Sequence, residues 1–255
     1  MSKNLQLLLD VAETAGRIAT RHFHAAPEIW DKPGNAGPVT EADLEVDRTL
    51  KAELLSSRPD YGWLSEESED NADRLHTDKQ FIIDPIDGTR AFIQKSKDWS
   101  HSIAIAQGGV VTHAVVYLPL RDEIYAAELG RGATLNGTPI AASQQTDLSE
   151  TSVLAAKPNF ADKNWKNGTP PVKPHFRSSL AYRLCLVASG RFDAMITLRP
   201  SWEWDIAAGG LIVSEATGTS TDRTGSELRY NNPHPQLNGV LAAGAIHPQL
   251  LSQLR

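Results

Sequence analysis

The chain has 255 residues, of which 40% are apolar and 22% charged, a composition ordinary for a globular protein with room for one large core or two medium ones. Its formal net charge of −6 argues against a nucleic-acid polymer as the main partner, since such polymers are bound through basic surfaces. Small anionic ligands remain open, because bound metal ions can reverse the local charge.

The single cysteine, Cys185, excludes an internal disulfide, and its apolar neighbours in LCLVA predict a buried thiol in a reducing compartment. The chain contains no run of about 18 apolar residues that would span a membrane. Its N-terminal stretch, MSKNLQLLLDVAETAG, lacks the apolar core and cleavage site of a signal peptide. We therefore expect a cytoplasmic protein with no membrane partner.

Two helices are predicted near the start of the chain. Residues 4–24 place apolar side chains at helical spacing along one stripe. Residues 40–57 repeat that spacing after Thr40, which is a suitable helix cap. The intervening residues 25–39 are rich in proline and glycine and predict a loop. Two short strands are then predicted, at residues 62–64 and 81–83.

The pattern changes to short β-rich runs from residue 101, so residues 101–137 predict an antiparallel meander, and the polar residues 141–151 follow as a domain joint. The second half alternates between strands and helices. Its predicted elements are a strand near 152–156, a loop over 157–177, a helix near 179–189, a strand near 194–198, a helix over 206–217 and short strands at 226–231 and 239–243. We expect a mixed α/β (α+β) fold of two units, an α+β half over 1–142 and an α/β half over 143–255.

The stretch FIIDPIDGTRAFI, residues 81–93, ends an apolar strand with two aspartates, Asp84 and Asp87. Carboxylates this close repel each other unless a proton or a cation lies between them. Gly88 allows close backbone approach, and Thr89 stands where a helix begins, an arrangement suited to a phosphate. The stretch predicts either a divalent cation beside a phosphate or a solvated turn in which aspartate and proline occur for conformational reasons. Taken alone, it leaves both interpretations open.

Three more acidic clusters stand at the edges of apolar elements. They are Glu66 and Glu67 in WLSEESED, Asp205 in SWEWDIAAGG, and Glu41 and Asp43 in TEAD. Asp205 and Asp43 stand beside predicted helix starts, so each is also explained as a helix cap. Trp202 and Trp204, just before Asp205, are typical of a core. Together, however, the four acidic clusters favour one shared cation site.

Three of these segments, in this order, resemble the signature of the inositol monophosphatase family of metal-dependent phosphatases. The segments are Glu66-Glu67, DPIDGT at 84–89 and WDIAAGG at 204–210, with CLVASG at 185–190 ahead of the last. The resemblance extends over nearly the whole chain. It implies a layered αβαβα fold with the active site between the two halves, and hydrolysis of a phosphate monoester without a covalent enzyme intermediate.

Carried over residue by residue, the resemblance implies the ligands of two or three Mg²⁺ ions. Glu66, Asp84 and the backbone carbonyl of Ile86 would hold one ion. Asp84, Asp87 and Asp205 would hold a second, and a third, weaker ion would lie near Glu66 and the phosphate. Hard oxygen ligands suit Mg²⁺, and two such ions can clamp the attacking and leaving oxygens of an in-line displacement.

The resemblance also implies catalytic and substrate-binding residues. Thr89, paired with Asp43, would orient or deprotonate the attacking water, and Glu66 is the third expected catalytic residue. The expected substrate-binding residues are Asp87, Gly88, Thr89, Ser178, Ser179, Arg199 and Asp205. The amides of Gly88 and Thr89 would bind phosphate oxygens. A homodimer is implied as well, with the 101–137 meander at the contact.

The substrate is predicted from departures from the family pattern. Seven residues before the late aspartate, the inositol branch has a glutamate that binds sugar hydroxyls, whereas this chain has Leu198 followed by Arg199. Arg90 and Phe92 look more like the 3'(2'),5'-bisphosphate nucleotidase and histidinol-phosphate phosphatase branches. The segment 177–183 adds basic residues that either suit a second phosphate or lie on the surface without a ligand.

We therefore expect a Mg²⁺-dependent phosphomonoesterase of the bisphosphate-nucleotidase type, which converts adenosine 3',5'-bisphosphate to AMP and phosphate. Inositol-1-monophosphatase is the second interpretation and histidinol-phosphate phosphatase the third. A haloacid-dehalogenase-type enzyme would have its two aspartates two residues apart rather than three, and it has no counterparts of Glu66 and Asp205. A non-catalytic regulatory member would lack one acidic ligand, and none is missing here.

Overall fold

The computed structural model describes residues 1–25, 27–32, 34 and 37–255. Its helices are α1 (Lys3–His24), α2 (Glu41–Ser57), α3 (Thr89–Ile93), α4 (Leu180–Ala188), α5 (Glu203–Glu215) and α6 (His247–Gln253). The strands of the first half are β1 (Ile29–Asp31), β2 (Pro38–Thr40), β3 (Gly62–Ser65), β4 (Lys79–Asp87), β5 (Ser100–Gln107), β6 (Val110–Leu118), β7 (Glu123–Glu128), β8 (Ala133–Leu135) and β9 (Thr138–Pro139). The strands of the second half are β10 (Ser152–Ala155), β11 (Lys173–His175), β12 (Ala194–Thr197), β13 (Ser201–Trp202), β14 (Thr219–Thr221), β15 (Gln236–Leu237) and β16 (Val240–Ala243).

Two sheets carry the architecture. The first has seven strands in the order β3-β4-β5-β6-β7-β8-β9. Strands β3 and β4 are parallel, and every later neighbour is antiparallel, as expected for the predicted meander. The second sheet has five strands in the order β11-β10-β12-β16-β14, in which β10 pairs in parallel with both β11 and β12.

Helices and sheets stack in five layers. Successive residues of a strand face opposite sides of its sheet, so each of the two sheets packs against helices on both faces. Phe81 and Ile83 of β4 pack into the core shared with α1 and α2, whereas Ile82 faces the core shared with α4 and α5. Met195 of the five-stranded sheet faces α4 and α5 from the other side, and Ile196 faces the core that includes α6. This αβαβα order confirms the expected fold class. None of the helices in the described ranges combines the length and apolar character needed to cross a bilayer.

The loop predicted over residues 25–39 is only partly a loop. Strands β1 and β2 within it pair in an antiparallel ribbon, with Ile29 opposite Thr40. All three residues of β1 are exposed, so no alternation of apolar and polar side chains marks this strand in the sequence. Residues 26, 33, 35 and 36 of that prediction lie outside the described residues.

The second half departs from its prediction at several elements, among them the strands β13, β14 and β15, which were not predicted. The loop at 157–177 contains β11, an exposed edge strand held by its pairing with β10. The strand predicted at 226–231 is wrong: after a turn in which Asp222 Oδ1 accepts the N–H groups of Thr224 and Ser226, only Glu227 forms an isolated bridge, to Thr221. Helix α5 begins three residues before the predicted 206, and the helix α6 was not predicted.

Candidate metal centre and active site

Strand β4 delivers both aspartates of the DPIDGT motif to one side. In a regular strand, residues three apart point to opposite faces of the sheet. Here Asp84 pairs with Ser102 and Asp87 pairs with Ser100, so three steps along β4 oppose only two along β5. The extra residue forms a β-bulge, which turns both carboxylates toward the layer of α4 and α5.

Three carboxylates from separate elements meet beside this bulge. Glu66 directly follows β3, and its N–H donates to the carbonyl of Ile83 on the parallel neighbour β4 (3.2 Å). Asp205 lies in the first turn of α5. One carboxylate oxygen each of Glu66, Asp84 and Asp205 lie within 4.8 Å of one another. The pairing of β3 with β4 and the start of α5 therefore assemble a three-acid cluster.

Asp84 is the least compensated member of this cluster. Its side chain is buried, and its Oδ1 has no hydrogen-bond partner among the described residues. Burial raises the pKa of Asp84 well above its usual range, and the neighbouring charges of Glu66 and Asp87 raise it further. Burial raises the pKa of Asp205 in the same way. A divalent cation between these oxygens would offset both costs, and a set of hard oxygen ligands suits Mg²⁺.

Asp87, unlike Asp84, accepts hydrogen bonds from the protein. Its Oδ2 accepts the hydroxyl of Ser179 (2.6 Å) and the backbone N–H of Ala181 (2.6 Å), both at the start of α4. Burial raises the pKa of Asp87 to about 6, although these two hydrogen bonds and the charge of Arg183 oppose the increase. Asp87 is therefore oriented by α4 while it stands beside the three-acid cluster.

A lysine that the motifs did not indicate contacts the Glu-Glu pair. The Nζ of Lys32 lies 2.7 Å from Glu66 Oε1 and 2.6 Å from Glu67 Oε1. Burial would lower the pKa of Lys32, but the attraction of the two glutamates outweighs burial and raises it. Burial and the charge of Glu66 raise the pKa of Glu67 to about 7. The protein thus already places one positive charge against Glu66.

Thr89 and Asp43 form the contact that the resemblance implied. The Thr89 hydroxyl lies 3.2 Å from Asp43 Oδ1 and 3.2 Å from the carbonyl of Ile86. The other Asp43 oxygen accepts the N–H (2.9 Å) and the hydroxyl (2.6 Å) of Thr40, so Asp43 also completes a capping box at the start of α2. Burial raises the pKa of Asp43 to about 6. The helix cap and the catalytic interpretation of Asp43 are therefore compatible.

The turn after the bulge requires glycine. Gly88 has a φ of 99°, which is in the left-handed region, and a Cβ there would lie 3.1 Å from the carbonyl oxygen of Asp98. The backbone can therefore pass close to the neighbouring segment before α3 begins at Thr89.

His101 supports the bulge from behind. Its Nδ1 donates to the carbonyl of Pro85, the residue between Asp84 and Ile86. The ring is fully buried, and its Nε2 has no partner among the described residues. Burial lowers the pKa of His101 to about 4, so the ring stays neutral at physiological pH.

A cavity of about 720 Å³ opens over these groups. The predicted site residues on its wall are Glu66, Asp84, Asp87, Gly88, Thr89, Ser178, Arg199 and Asp205. The remaining predicted residues, Asp43, Ile86 and Ser179, are buried behind that wall. The wall also contains Asn159 and Phe176, which sequence reasoning missed because no motif surrounds either residue.

Comparison with known proteins gives one consistent result. A model of the inositol monophosphatase family matches residues 1–255. An inositol-1-monophosphatase of Rhizobium meliloti is 32% identical over 238 residues, which cover 87% of this chain and 86% of that protein. A histidinol-phosphatase of Chlorobaculum parvum is 31% identical over 238 residues, or 89% and 88% of the two chains. The solved structure of a Thermotoga maritima IMPase is 29% identical, with a TM-score of 0.83 and coverage of 98% and 96%. The resemblance inferred from the motifs is confirmed.

The charge on Asp84 leads to the first prediction. Without metal, Asp84→Asn is expected to be at least as stable as the wild type, because a desolvated carboxylate among like charges has been removed. Saturating Mg²⁺ is expected to stabilise the wild type by about 1–3 kcal/mol and the variant by clearly less. Thermal unfolding with and without MgCl₂ measures this difference. The control is Asp60→Asn, an exposed carboxylate in a turn, and an equal Mg²⁺ response in the Asp84 variant would remove Asp84 from the metal centre.

The burial of His101 leads to a pH prediction. A ring with a folded-state pKa of about 4 and an ordinary value of 6.5 contributes stability that is complete above pH 6.5 and is lost as the pH falls toward 4. Between those values the wild type should lose on the order of 3 kcal/mol more than His101→Asn, which keeps an N–H for Pro85. Urea unfolding from pH 4 to 7 measures the difference, with the exposed His76→Asn as control. Parallel curves for wild type and His101→Asn would contradict the prediction.

Proposed function

Because this chain belongs to the inositol monophosphatase family and is a metal-dependent phosphoric monoester hydrolase, we propose that it cleaves its ester by direct attack of water at the three-acid cluster. The observation that carries this proposal is the approach of Glu66, Asp84 and Asp205 to within 4.8 Å, with one buried oxygen of Asp84 unbonded within the described chain. A cation bound between these carboxylates would offset their mutual repulsion.

We propose that Glu66, Asp84 and the carbonyl of Ile86 hold one Mg²⁺ and that Asp84, Asp87 and Asp205 hold a second. Asp87 Oδ2 is occupied by α4, which leaves Oδ1 for a metal. When bound, Mg²⁺ supplies a water of lowered pKa and neutralises charge on the departing oxygen. A third ion near Glu66 would share this carboxylate with Lys32 and is therefore expected to bind more weakly than the others.

Thr89 and Asp43 hold the attacking water in this proposal. A carboxylate with a pKa of about 6 is mostly ionised at neutral pH, so Asp43 accepts the hydroxyl proton of Thr89. The oxygen of Thr89 is then able to accept a hydrogen bond from water and to align it with the phosphorus. The water oxygen forms the new P–O bond and releases a proton, the ester P–O bond breaks, and the leaving oxygen takes up a proton from solvent.

For the substrate, we propose a nucleoside 3'(2'),5'-bisphosphate such as adenosine 3',5'-bisphosphate. Arg183 and Arg199 share the cavity wall with the acids. Burial lowers the pKa of Arg183 only to about 10, so this guanidinium stays charged at neutral pH. Two positive charges suit a second phosphate. Leu198, at the position of the glutamate that reads inositol hydroxyls, is buried and offers no acceptor.

Inositol-1-phosphate is the second candidate substrate, and the similarity to the Rhizobium meliloti inositol-1-monophosphatase favours it. Histidinol phosphate is the third, on the similarity to the Chlorobaculum parvum histidinol-phosphatase. All three esters would use the same metal centre, so only the cavity wall separates them.

Steady-state phosphate release with Mg²⁺ tests the substrate. We expect kcat/KM to be highest for adenosine 3',5'-bisphosphate, and we expect Arg199→Gln to lower it at least tenfold, as for a charge-assisted contact of about 1.5–3 kcal/mol. Arg131→Gln, an exposed arginine outside the cavity wall, is the matched control. A preference for inositol-1-phosphate would reverse the ranking, and no phosphate release from any ester would leave only a regulatory role.

The role of Thr89 gives a separate prediction. Thr89→Val keeps the shape of the side chain but removes the hydroxyl, so kcat should fall by about 10²–10⁴ while KM changes little. Thr89→Ser restores the hydroxyl and should recover most of kcat. A Val variant with kcat near that of the wild type would show that Thr89 only caps the turn.

A further inference from the structure

An exposed tryptophan stands on the cavity wall three residues before Asp205. Trp202 is 36% exposed, and its ring stacks on that of Trp204 with centroids 4.7 Å apart and planes 8° apart. Trp204 is buried, as its sequence position suggested, whereas the same expectation was wrong for Trp202, which lines the cavity together with Asp205. The exposed part of the Trp202 indole is a flat aromatic surface on which another flat ring can stack.

The surrounding fold holds this ring in place. Strand β13 pairs with β15, with Trp202 opposite Gln236, and His234 packs at a tilt against the indole with centroids 5.6 Å apart. The next residue, Glu203, is fully buried and accepts the backbone N–H groups of Asn231 (2.6 Å) and Asn232 (2.9 Å). These contacts fix the backbone on both sides of Trp202, so the exposed ring is preorganised.

A second exposed aromatic lies on the same wall. Phe176 is 54% exposed, and the guanidinium of Arg183 lies 4.5 Å from its ring centroid. Two exposed aromatic rings on one cavity wall form an apolar surface that can take part in binding a ligand. Two such rings beside guanidinium groups and a metal centre match the chemistry of a molecule that carries both phosphate and a flat heterocycle.

We propose that Trp202 is the residue that selects the leaving group, by stacking on the purine base of a nucleotide substrate. This inference rests on the proposed phosphatase function and adds the recognition of the base to it. The purine is favoured over a single imidazole ring because the bicyclic indole face offers a bicyclic area to cover. Asp205 at the metal centre and Trp202 on the wall would then contact the two ends of one nucleotide.

A matched pair of inhibitors tests the proposal. AMP and ribose 5-phosphate share a phosphate and a sugar and differ by the base, and Mg²⁺-dependent hydrolysis of β-glycerophosphate provides an aliphatic reporter reaction. We expect AMP to inhibit the wild type at least tenfold more strongly than ribose 5-phosphate. In Trp202→Ala this ratio should fall toward one, and in Trp202→Tyr most of it should return, since an aromatic face is restored.

The possible outcomes distinguish a failure of the proposed phosphatase function from a failure of the proposed stacking by Trp202. A wild type that does not hydrolyse β-glycerophosphate or any of the three candidate esters overturns the phosphatase function. A phosphatase whose inhibition ratio is near one, or is the same in Trp202→Ala, overturns the stacking role. Loss of histidinol-phosphate inhibition in Trp202→Ala, with AMP inhibition unchanged, overturns the purine assignment. Quenching of tryptophan fluorescence by AMP in the wild type but not in Trp202→Ala provides a readout that needs no turnover.

Discussion

Mutual repulsion of buried carboxylates is the constraint around which this site is organised. Asp84 is removed from water on a central strand, and its neighbours in space are other acids. The compensating contacts of Asp87 and Glu66 lie at the periphery of the cluster, since α4 binds Asp87 and Lys32 binds Glu66. At the centre, Asp84 Oδ1 has no hydrogen-bond partner among the described residues, and in the proposed function a Mg²⁺ ion would bind there. The repulsion among these acids lowers local stability, and the proposed binding of a cation and a phosphate would offset it.

Much of the fold was predictable because the sequence patterns that specify its helices and strands are local. The helices α1 and α2 follow from apolar spacing, and the meander follows from alternation and turn residues. The ribbon of β1 and β2 and the edge strand β11 were not predictable, since pairing rather than their own side chains makes them strands. The start of α5 was placed late because distant asparagines hold Glu203.

The close approach of Glu66, Asp84 and Asp205 was predictable from motifs, and much of the rest of the cavity wall was not. The acidic residues of the Glu-Glu, DPIDGT and WD segments belong to short motifs that can be recognised in the sequence. Lys32 has no such motif, and its contact with Glu66 spans 34 residues of sequence. Ser179 was expected in the pocket and instead orients Asp87 from behind. Contacts of this kind depend on packing, which one-dimensional patterns do not encode.

The bulge in β4 limits how this chain can change over evolutionary time. If β4 paired with β5 in a regular ladder at its present length, Asp84 and Asp87 would lie on opposite faces, and one of the two carboxylates would point into the apolar layer beneath α1 and α2. The segment that carries both aspartates therefore depends on the bulge. Changes in the loops and side chains that surround the cavity leave the bulge intact, so these positions can vary while the geometry of the two carboxylates is kept.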